Sequence, residues 1–317
     1  MKTHTASVIA MDWGSTMLRA YLLSDKGDLM AEKSFPWGVL QLPESDGKTL
    51  TYEQVFYAAV DDWLMAFPAL HVYLTGMVTS KIGWVEVPYV EAPCAIEDLH
   101  AGGHSLLTKD CQLVNLIPGV SYQGRQIDLM RGEETQLLPF LNSWERTYDG
   151  WIVLPGTHCK WVLIQNLQIA EFQTYMTGEL YSLLRKHSIL AAGYSEEKQS
   201  LDIDSFLKGV NASLNAAGIM SELFSCRSAV LFGEVESAHR FSYLSGLLIG
   251  AEIKEAKSAL GGLPAEISLI GDEHLCDLYR MALRFFKSEM NIKQYNNTAA
   301  QGIWEMHSWI QNNKQQS

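Results

Sequence analysis

The chain has 317 residues, 47% of them apolar and 19% charged, with a formal net charge of −12; this is an ordinary globular composition in a chain too long for one growing core, so two domains of roughly 150 residues are expected. The acidic balance excludes a general binder of nucleic acid or of anionic membrane, both of which need a basic surface, but not a nucleotide held by local N–H groups and a few cations. No run of about eighteen apolar residues offers a membrane span, and five scattered cysteines, Cys94, Cys111, Cys159, Cys226 and Cys276, without a C-x-x-C pair, fit a reducing, cytoplasmic setting.

The opening MKTHTASVIAMDW has one Lys and then a strand that ends on Asp12, so it is not read as a removable signal segment. From Met11, MDWGSTMLRAYLLSDKGDLMAEKSF reads as a strand, a Gly-Ser/Thr turn, a second strand, a polar turn and a third alternating strand. YEQVFYAAVDDWLMAF sets Val55, Ala59 and Trp63 at helical spacing, HVYLTGMV is a buried strand that stops at Gly76, and QLVNLIPGV is a strand ending at Pro118 and Gly119. SYQGRQID reads as a polar connection into a helix beginning near MRGEETQLLPFL. The first domain, 1–150, closes around Arg146 to Gly150.

The second half, 151–317, repeats that order. VLPGTHCKWVLIQNLQIAEFQTYMT from Val153 is again strand, Gly-Thr turn, strand, turn and strand. Thr177 then stands as N-cap of the helix GELYSLLRKHSIL, with Leu180, Leu183, Leu184 and His187 on one face. Residues 193 to 206 read as a polar loop. The helix YLSGLLIGAEI carries Gly246 and Gly250 four apart, a spacing for close approach to a neighbouring helix. EISLIGDEHLCDLYRMAL is a strand, a turn at Gly271 and a helix, and the tail WIQNNKQQS is polar and frays.

Gly14 and Gly156, the two turn glycines, lie 142 positions apart (156 minus 14), nearly half the chain. A duplicated domain with two facing phosphate loops accounts for that repetition. Small residues let consecutive backbone N–H groups line an anion site, and Ser15, Thr16 and Thr157 add hydroxyl donors. Asp12 at the first strand end suits a metal-bound water, while Arg19 and Lys160 neutralise remaining phosphate charge. Cys159 inside the second turn reads as a small buried residue, and His158 as a residue that fixes the turn.

The segments DWGSTMLRAYLL, GMVTSKIGW, MRGEETQLL, PGTHCKW, MTGEL and YLSGLLIGAEI, in this order, resemble those of the 2-dehydro-3-deoxygalactonokinase family, from residue 8 to about residue 253. The resemblance implies an α/β fold of two duplicated actin-like (RNase H-like) ATPase domains with mixed sheets flanked by helices and a cleft between them. It also implies transfer of the ATP γ-phosphoryl group, with Mg2+, to the 6-hydroxyl of 2-dehydro-3-deoxy-D-galactonate in galactonate breakdown. Thr177, Gly178 and Glu179 of MTGEL, with an adenine pocket at Gly271, are its nucleotide side. After GMV, the family's Gly-Ser is Thr79-Ser80 in this chain.

Transfer to a hydroxyl needs a group to orient it and take its proton, and the candidates are Glu133 and Glu134. The helix macrodipole alone also favours Glu in a first turn, and adjacent helical residues point roughly 100° apart, so only one of the pair faces the site squarely. Arg131 offers a planar fork for the substrate carboxylate, with a surface ion pair as its alternative. The loop after Gly76 and Met77, with Lys81, Trp84 and Tyr89, follows a strand end, where α/β sheets bind ligands. Three other readings stay open: a kinase of another sugar acid or a polyol, a phosphohydrolase of the exopolyphosphatase type, and a non-catalytic sugar sensor or assembly module. A homo-oligomer is compatible with all of them.

Overall fold

The structure, a computed structural model, describes residues 5–67, 69–124, 126–142, 148–191, 201–215 and 218–314. The chain divides into two compact units: Met1–Asp149, Leu163–Phe172 and Asn297–Ser317 form the first, Gly150–Val162 and Gln173–Asn296 the second. It therefore crosses between units more than once, where the two-domain reading has a single crossing.

In the first unit β1 (Ala6–Trp13), β2 (Leu18–Ser24) and β3 (Leu29–Phe35) form an antiparallel meander. A small hairpin, β4 (Glu44–Ser45) and β5 (Lys48–Thr49), leads to α1 (Tyr52–Ala66), which starts at a reciprocal cap between Thr51 and Gln54. β6 (His71–Thr75) returns parallel to β1. Then come β7 (Val90–Glu91), α2 (Ile96–Ala101), β8 (His104–Leu107) and β9 (Leu113–Leu116), and the main sheet runs β3-β2-β1-β6-β9-β8. β1 is central, which is why Val8, Ile9, Ala10 and Met11 are all fully buried rather than alternating.

The stretch read as a polar connection is a hairpin, β10 (Val120–Gln123) and β11 (Ile127–Met130), paired from Val120↔Met130 to Gln123↔Ile127. Its signal is masked because Ile127 and Leu129 point outward, 77% and 47% exposed. α3 (Glu133–Asn142) begins after the hairpin, three residues later than Met130, because Gly132 at φ +109° breaks the backbone direction.

The second half of the chain repeats the arrangement. β12 (Gly150–Leu154), β13 (Cys159–Gln165) and β14 (Gln168–Tyr175) precede α4 (Thr177–His187). Helices α5 (Ile203–Ala212), α6 (Ile219–Glu222), α7 (Ser225–Leu231) and α8 (Arg240–Ala259) follow, then β15 (Glu266–Ile270), α9 (Glu273–Phe286) and β16 (Asn291–Tyr295). The sheet order is β14-β13-β12-β15-β16, matching β3-β2-β1-β6-β9 strand for strand. The repeated turns are thus the visible part of a repeated sheet.

Four sequence expectations change. Met176, not Thr177, holds the cap position of α4; the Thr177 hydroxyl is drawn inward to Glu252. Leu180 and Leu183 are 43% and 47% exposed, so the apolar face read on α4 is only partly buried. Of the loop read at 193 to 206, residues 193–200 lie outside the described residues, and α5 starts at Ile203 because the Asp202 carboxylate caps the Ser205 N–H at 2.7 Å. The tail is helical through Lys314 in α10 (Ala299–Lys314), whose Ile303, Met306 and Ile310 are buried. Positions 315–317 are outside the described residues, as are 143–147, where the closing of the first domain was read.

Gly246 and Gly250 mark a helix contact. A Cβ at Gly246 would lie 1.9 Å from the Phe206 carbonyl oxygen, so α5 and α8 touch backbone to backbone. Gly246→Ala must push the helices apart, and a loss of about 1–3 kcal/mol is expected, seen as a lowered thermal midpoint. A midpoint equal to that of the parent protein would contradict this packing.

Candidate active site

In the first unit three chain segments converge at the ends of β1, β6 and β11. Asp12 pairs with Arg19 across the β1–β2 ladder and with Thr75 of β6, and the Arg19 guanidinium is 3.7 Å from its carboxylate. Gly76 (φ +91°) passes so close that a Cβ would lie 3.2 Å from Asp12 Oδ1 and 2.8 Å from the Trp13 carbonyl. Gly132 (φ +109°) comes against Gly76 in turn, its Cβ position 3.3 Å from the Gly76 Cα. Only glycine supplies both the positive φ and the absent side chain. The Asp12 side chain remains one-fifth exposed, and burial, reinforced by the nearby Glu133 charge and opposed by Arg19, raises its pKa to about 6.

The two glutamates at the start of α3 have different surroundings. Glu134 is fully buried. One of its oxygens accepts from the Thr75 hydroxyl at 2.9 Å and the other from the Gly132 N–H at 2.6 Å, tying the end of β6 to the α3 turn. Burial and the Glu133 charge raise its pKa to about 8. Glu133 is only half-buried, accepts from the Arg131 N–H at 3.1 Å and is close enough to Asp12 to perturb its titration.

Arg131 has its fork engaged by the loop after Gly76. Nη1 donates to the Thr79 carbonyl (2.7 Å) and hydroxyl (2.6 Å), Nη2 donates to the Val87 carbonyl (2.9 Å), and the guanidinium lies 4.1 Å over the Tyr89 ring. It thereby fixes the loop that carries Lys81, exposed, and Trp84, half-buried against Phe56. Met77 is half-buried at the loop's start. The first turn is held from its carbonyl side: Val39 and Leu40 donate to the Gly14 and Ser15 carbonyls at 3.0 and 3.1 Å, and Thr16 stays exposed.

In the second unit the turn between β12 and β13 lies against the start of α4. Glu179 donates its N–H to the Thr157 carbonyl at 2.9 Å, and a Cβ at Gly178 would strike the Gly156 carbonyl at 2.3 Å. His158 meets the Glu179 carboxylate at 2.5 Å. Lys160 is buried, its Nζ 3.4 Å from the His158 carbonyl, and Cys159 is buried as well. Beside the turn is a cavity of about 500 Å3 lined by Gly156, Thr157, Thr177 and Gly178 and, from α8 and the start of α9, by Ser245, Leu248, Asp272 and His274. Gly271, at φ +151°, turns β15 into α9 beside the Pro155 carbonyl. Gly178→Ala should distort the Gly156 turn and raise the KM for nucleotide about ten-fold or more with little change in overall fold; an unchanged KM would remove the turn from the binding surface.

Sequence reasoning missed Thr75, Glu252, Ser245, and Asp272 and His274 at the cap and first turn of α9. A lone Glu in the apolar run GLLIGAEI was the one available signal for Glu252. The others are ordinary at their positions and gain meaning only from the fold.

Two α/β units with one shared strand order, each carrying a Gly-Ser/Thr hairpin beside a strand-end site, define the actin-like class of ATPases and sugar kinases. An activator of 2-hydroxyisocaproyl-CoA dehydratase from Clostridium difficile with bound ADPNP shares the fold at a TM-score of 0.50 and 12% identity, over 99% of this chain and 98% of that one. The family model for 2-keto-3-deoxy-galactonokinase matches residues 12–306, and the chain belongs to that family. A 2-dehydro-3-deoxygalactonokinase of Escherichia coli K12 is 35% identical over 88% of this chain and 90% of its own. A candidate 2-dehydro-3-deoxygalactonokinase of Rhizobium meliloti strain 1021 is 30% identical over 94% of this chain and 97% of its own. The crystal structure of a candidate enzyme of the same name from Sinorhizobium meliloti superposes with a TM-score of 0.80 at 28% identity, covering 95% of this chain and 97% of that one.

Proposed function

We propose that this chain transfers the γ-phosphoryl group of ATP to the 6-hydroxyl of 2-dehydro-3-deoxy-D-galactonate, forming the 6-phospho sugar acid of galactonate breakdown. The observation that carries the reading is the convergence of Asp12, Gly76 and Gly132 with the Glu133–Glu134 pair in a chain of this family. Family membership favours this reading over a polyol kinase, a phosphohydrolase or a non-catalytic sensor.

Glu133, half-buried and near enough to Asp12 to raise its pKa, orients the 6-hydroxyl and accepts its proton as the phosphoryl group leaves. Glu134 is a positioning residue that holds Thr75 and Gly132 together. Arg131 holds the Thr79–Val87 loop, on which Lys81 and Trp84 meet the sugar acid. Each unit carries its own phosphate turn, Gly14, Ser15, Thr16 and Arg19 in the first and Gly156, Thr157, His158 and Lys160 in the second, and the second unit's cavity beside Gly178 takes the nucleoside.

A magnesium ion fits Asp12: the group offers a hard oxygen, is partly exposed, and has a pKa of about 6 that a cation would lower. Among the described residues no group of three or more potential ligands surrounds it, so Asp12 would hold the ion largely through water, and the bound ion would neutralise phosphate charge. We assign the reaction to the cytoplasm, where all five cysteines, which are free, remain reduced. No helix among the described residues is long and apolar enough to cross a membrane.

The test is a coupled ADP-release assay with Mg-ATP and the galacto acid, run beside its gluco epimer, galactonate, gluconate and a blank without acceptor. Release confined to the galacto acid is expected. Equal release in the blank would indicate a hydrolase, release with another acceptor would reassign the substrate, and no release would overturn the enzymatic reading.

A further inference from the structure

Behind the second unit's cavity lies a carboxylate that the phosphotransfer chemistry does not use. Glu252 of α8 is 3% exposed. It accepts from the Trp161 indole N–H at 2.7 Å, from the Tyr279 hydroxyl at 2.7 Å and from the Thr177 hydroxyl. These donors come from three separate elements: Trp161 is on β13 just past the turn, Thr177 opens α4, and Tyr279 is on α9. Thr177 and Tyr279 themselves line the cavity, as do Ser245, Leu248 and Ile249 on the same helix as Glu252.

A buried carboxylate would ordinarily be driven to its neutral acid, and burial does push this group's pKa up. Four hydrogen-bonding neighbours, Cys159, Thr177, Trp161 and Tyr279, oppose that shift. The arrangement is oriented for an acceptor, since an indole N–H can only donate. A single group so placed ties these elements together beyond the apolar core that Trp161, Ile249, Ile253 and Tyr279 share, because buried hydrogen bonds are directional and costly to leave unmade. The Thr177 hydroxyl is the contact with most leverage. It sits one residue before Gly178, where a Cβ would lie 2.3 Å from the Gly156 carbonyl oxygen.

We propose that Glu252 is a positioning residue of the nucleotide cavity, which through Thr177, Trp161 and Tyr279 sets the distance between the start of α4 and the turn at Gly156. The inference rests on the reading that this cavity takes the nucleotide of the phosphotransfer reaction. It predicts a selective effect: nucleotide affinity depends on the network, and sugar-acid affinity does not.

The experiment uses the whole protein and ADP as probe, with calorimetric binding and steady-state kinetics on Glu252→Gln, Thr177→Val, Thr177→Ser and the double variant Glu252→Gln/Thr177→Val. Each of Glu252→Gln and Thr177→Val should weaken ADP binding and raise the KM for ATP about ten-fold, from the loss or rearrangement of a buried hydrogen bond. The double variant should be little worse than either single one, because both remove the same link. Thr177→Ser should return to within about two-fold of the parent, and the KM for the sugar acid should stay within about two-fold throughout. If Glu252→Gln does not fold, the Thr177→Val and Thr177→Ser pair decides alone. Parent-like ADP binding in folded Thr177→Val, or an equal rise in both KM values, would overturn the inference while leaving the function intact. Failure of the parent protein to bind ADP would instead overturn the reading on which it rests.

Discussion

Asp12→Asn is expected to lower kcat by at least about a thousandfold while the protein stays folded and becomes slightly more stable, a combination that separates a functional carboxylate from a structural one. The rate loss follows from the role argued for Asp12, whose carboxylate is the group at this strand end with an accessible charge for a water-bound cation. The stability gain follows from linkage. Because the folded-state pKa is raised from 3.8 to about 6, the folded protein holds more protons than the unfolded chain across that interval. Stability is therefore lost as pH rises through it, and at neutral pH the ionised group costs at most about 3 kcal/mol. Asparagine has no charge to bury, so the thermal midpoint at pH 7.5 should rise by a few degrees, and the difference between the two proteins should vanish near pH 4. Near-parent turnover would remove Asp12 from the mechanism. A midpoint well below the parent's would show that the carboxylate is needed for folding.

How much of this was open to sequence reading depended on whether the signal was local. The hairpins at Gly14 and Gly156 are local, so both were legible, and their repetition pointed to the duplicated sheet. α1 announced itself through the periodicity of Val55, Ala59 and Trp63, and Gly246 and Gly250 through spacing. The β10–β11 hairpin was not legible, because Ile127 and Leu129 face outward and blur the alternation that marks a strand. Thr177 was misread as a cap because a threonine before a helical pattern is an ordinary cap signal; the competing acceptor is Glu252, 75 residues away. The same limit held in the site. MRGEETQ identified the glutamate pair, but only the fold separates Glu134, satisfied by Thr75 and Gly132, from the half-buried Glu133. Arg131 looked like a free fork in sequence, and its engagement by Thr79 and Val87 depends on a loop some 50 residues earlier.

That separation of the two glutamates leads to the second large effect. Glu133→Gln should lower kcat about 10² to 10⁴-fold with the KM for ATP nearly unchanged, because an amide can still orient a hydroxyl but cannot take its proton. It should also move the acid limb of the pH profile. The Glu133 charge is one of the causes that raise the Asp12 pKa, so its removal stabilises ionised Asp12, and the residual activity should fall off at lower pH than in the parent protein. Glu134→Gln tests the opposite assignment. Its amide oxygen can accept from the Gly132 N–H and its nitrogen can donate to the Thr75 hydroxyl, in place of the present bonds of 2.6 and 2.9 Å, and the neutral amide matches the neutral acid that a pKa of about 8 favours, so the turn is kept at a cost below about 1 kcal/mol. The expected signature is a nearly unchanged thermal midpoint and a smaller loss of kcat, without the shift of the acid limb toward lower pH that Glu133→Gln gives through Asp12. If Glu133→Gln instead kept kcat within a factor of about ten while Glu134→Gln abolished it without loss of stability, the proton would go to the buried residue and the roles argued for the pair would be exchanged.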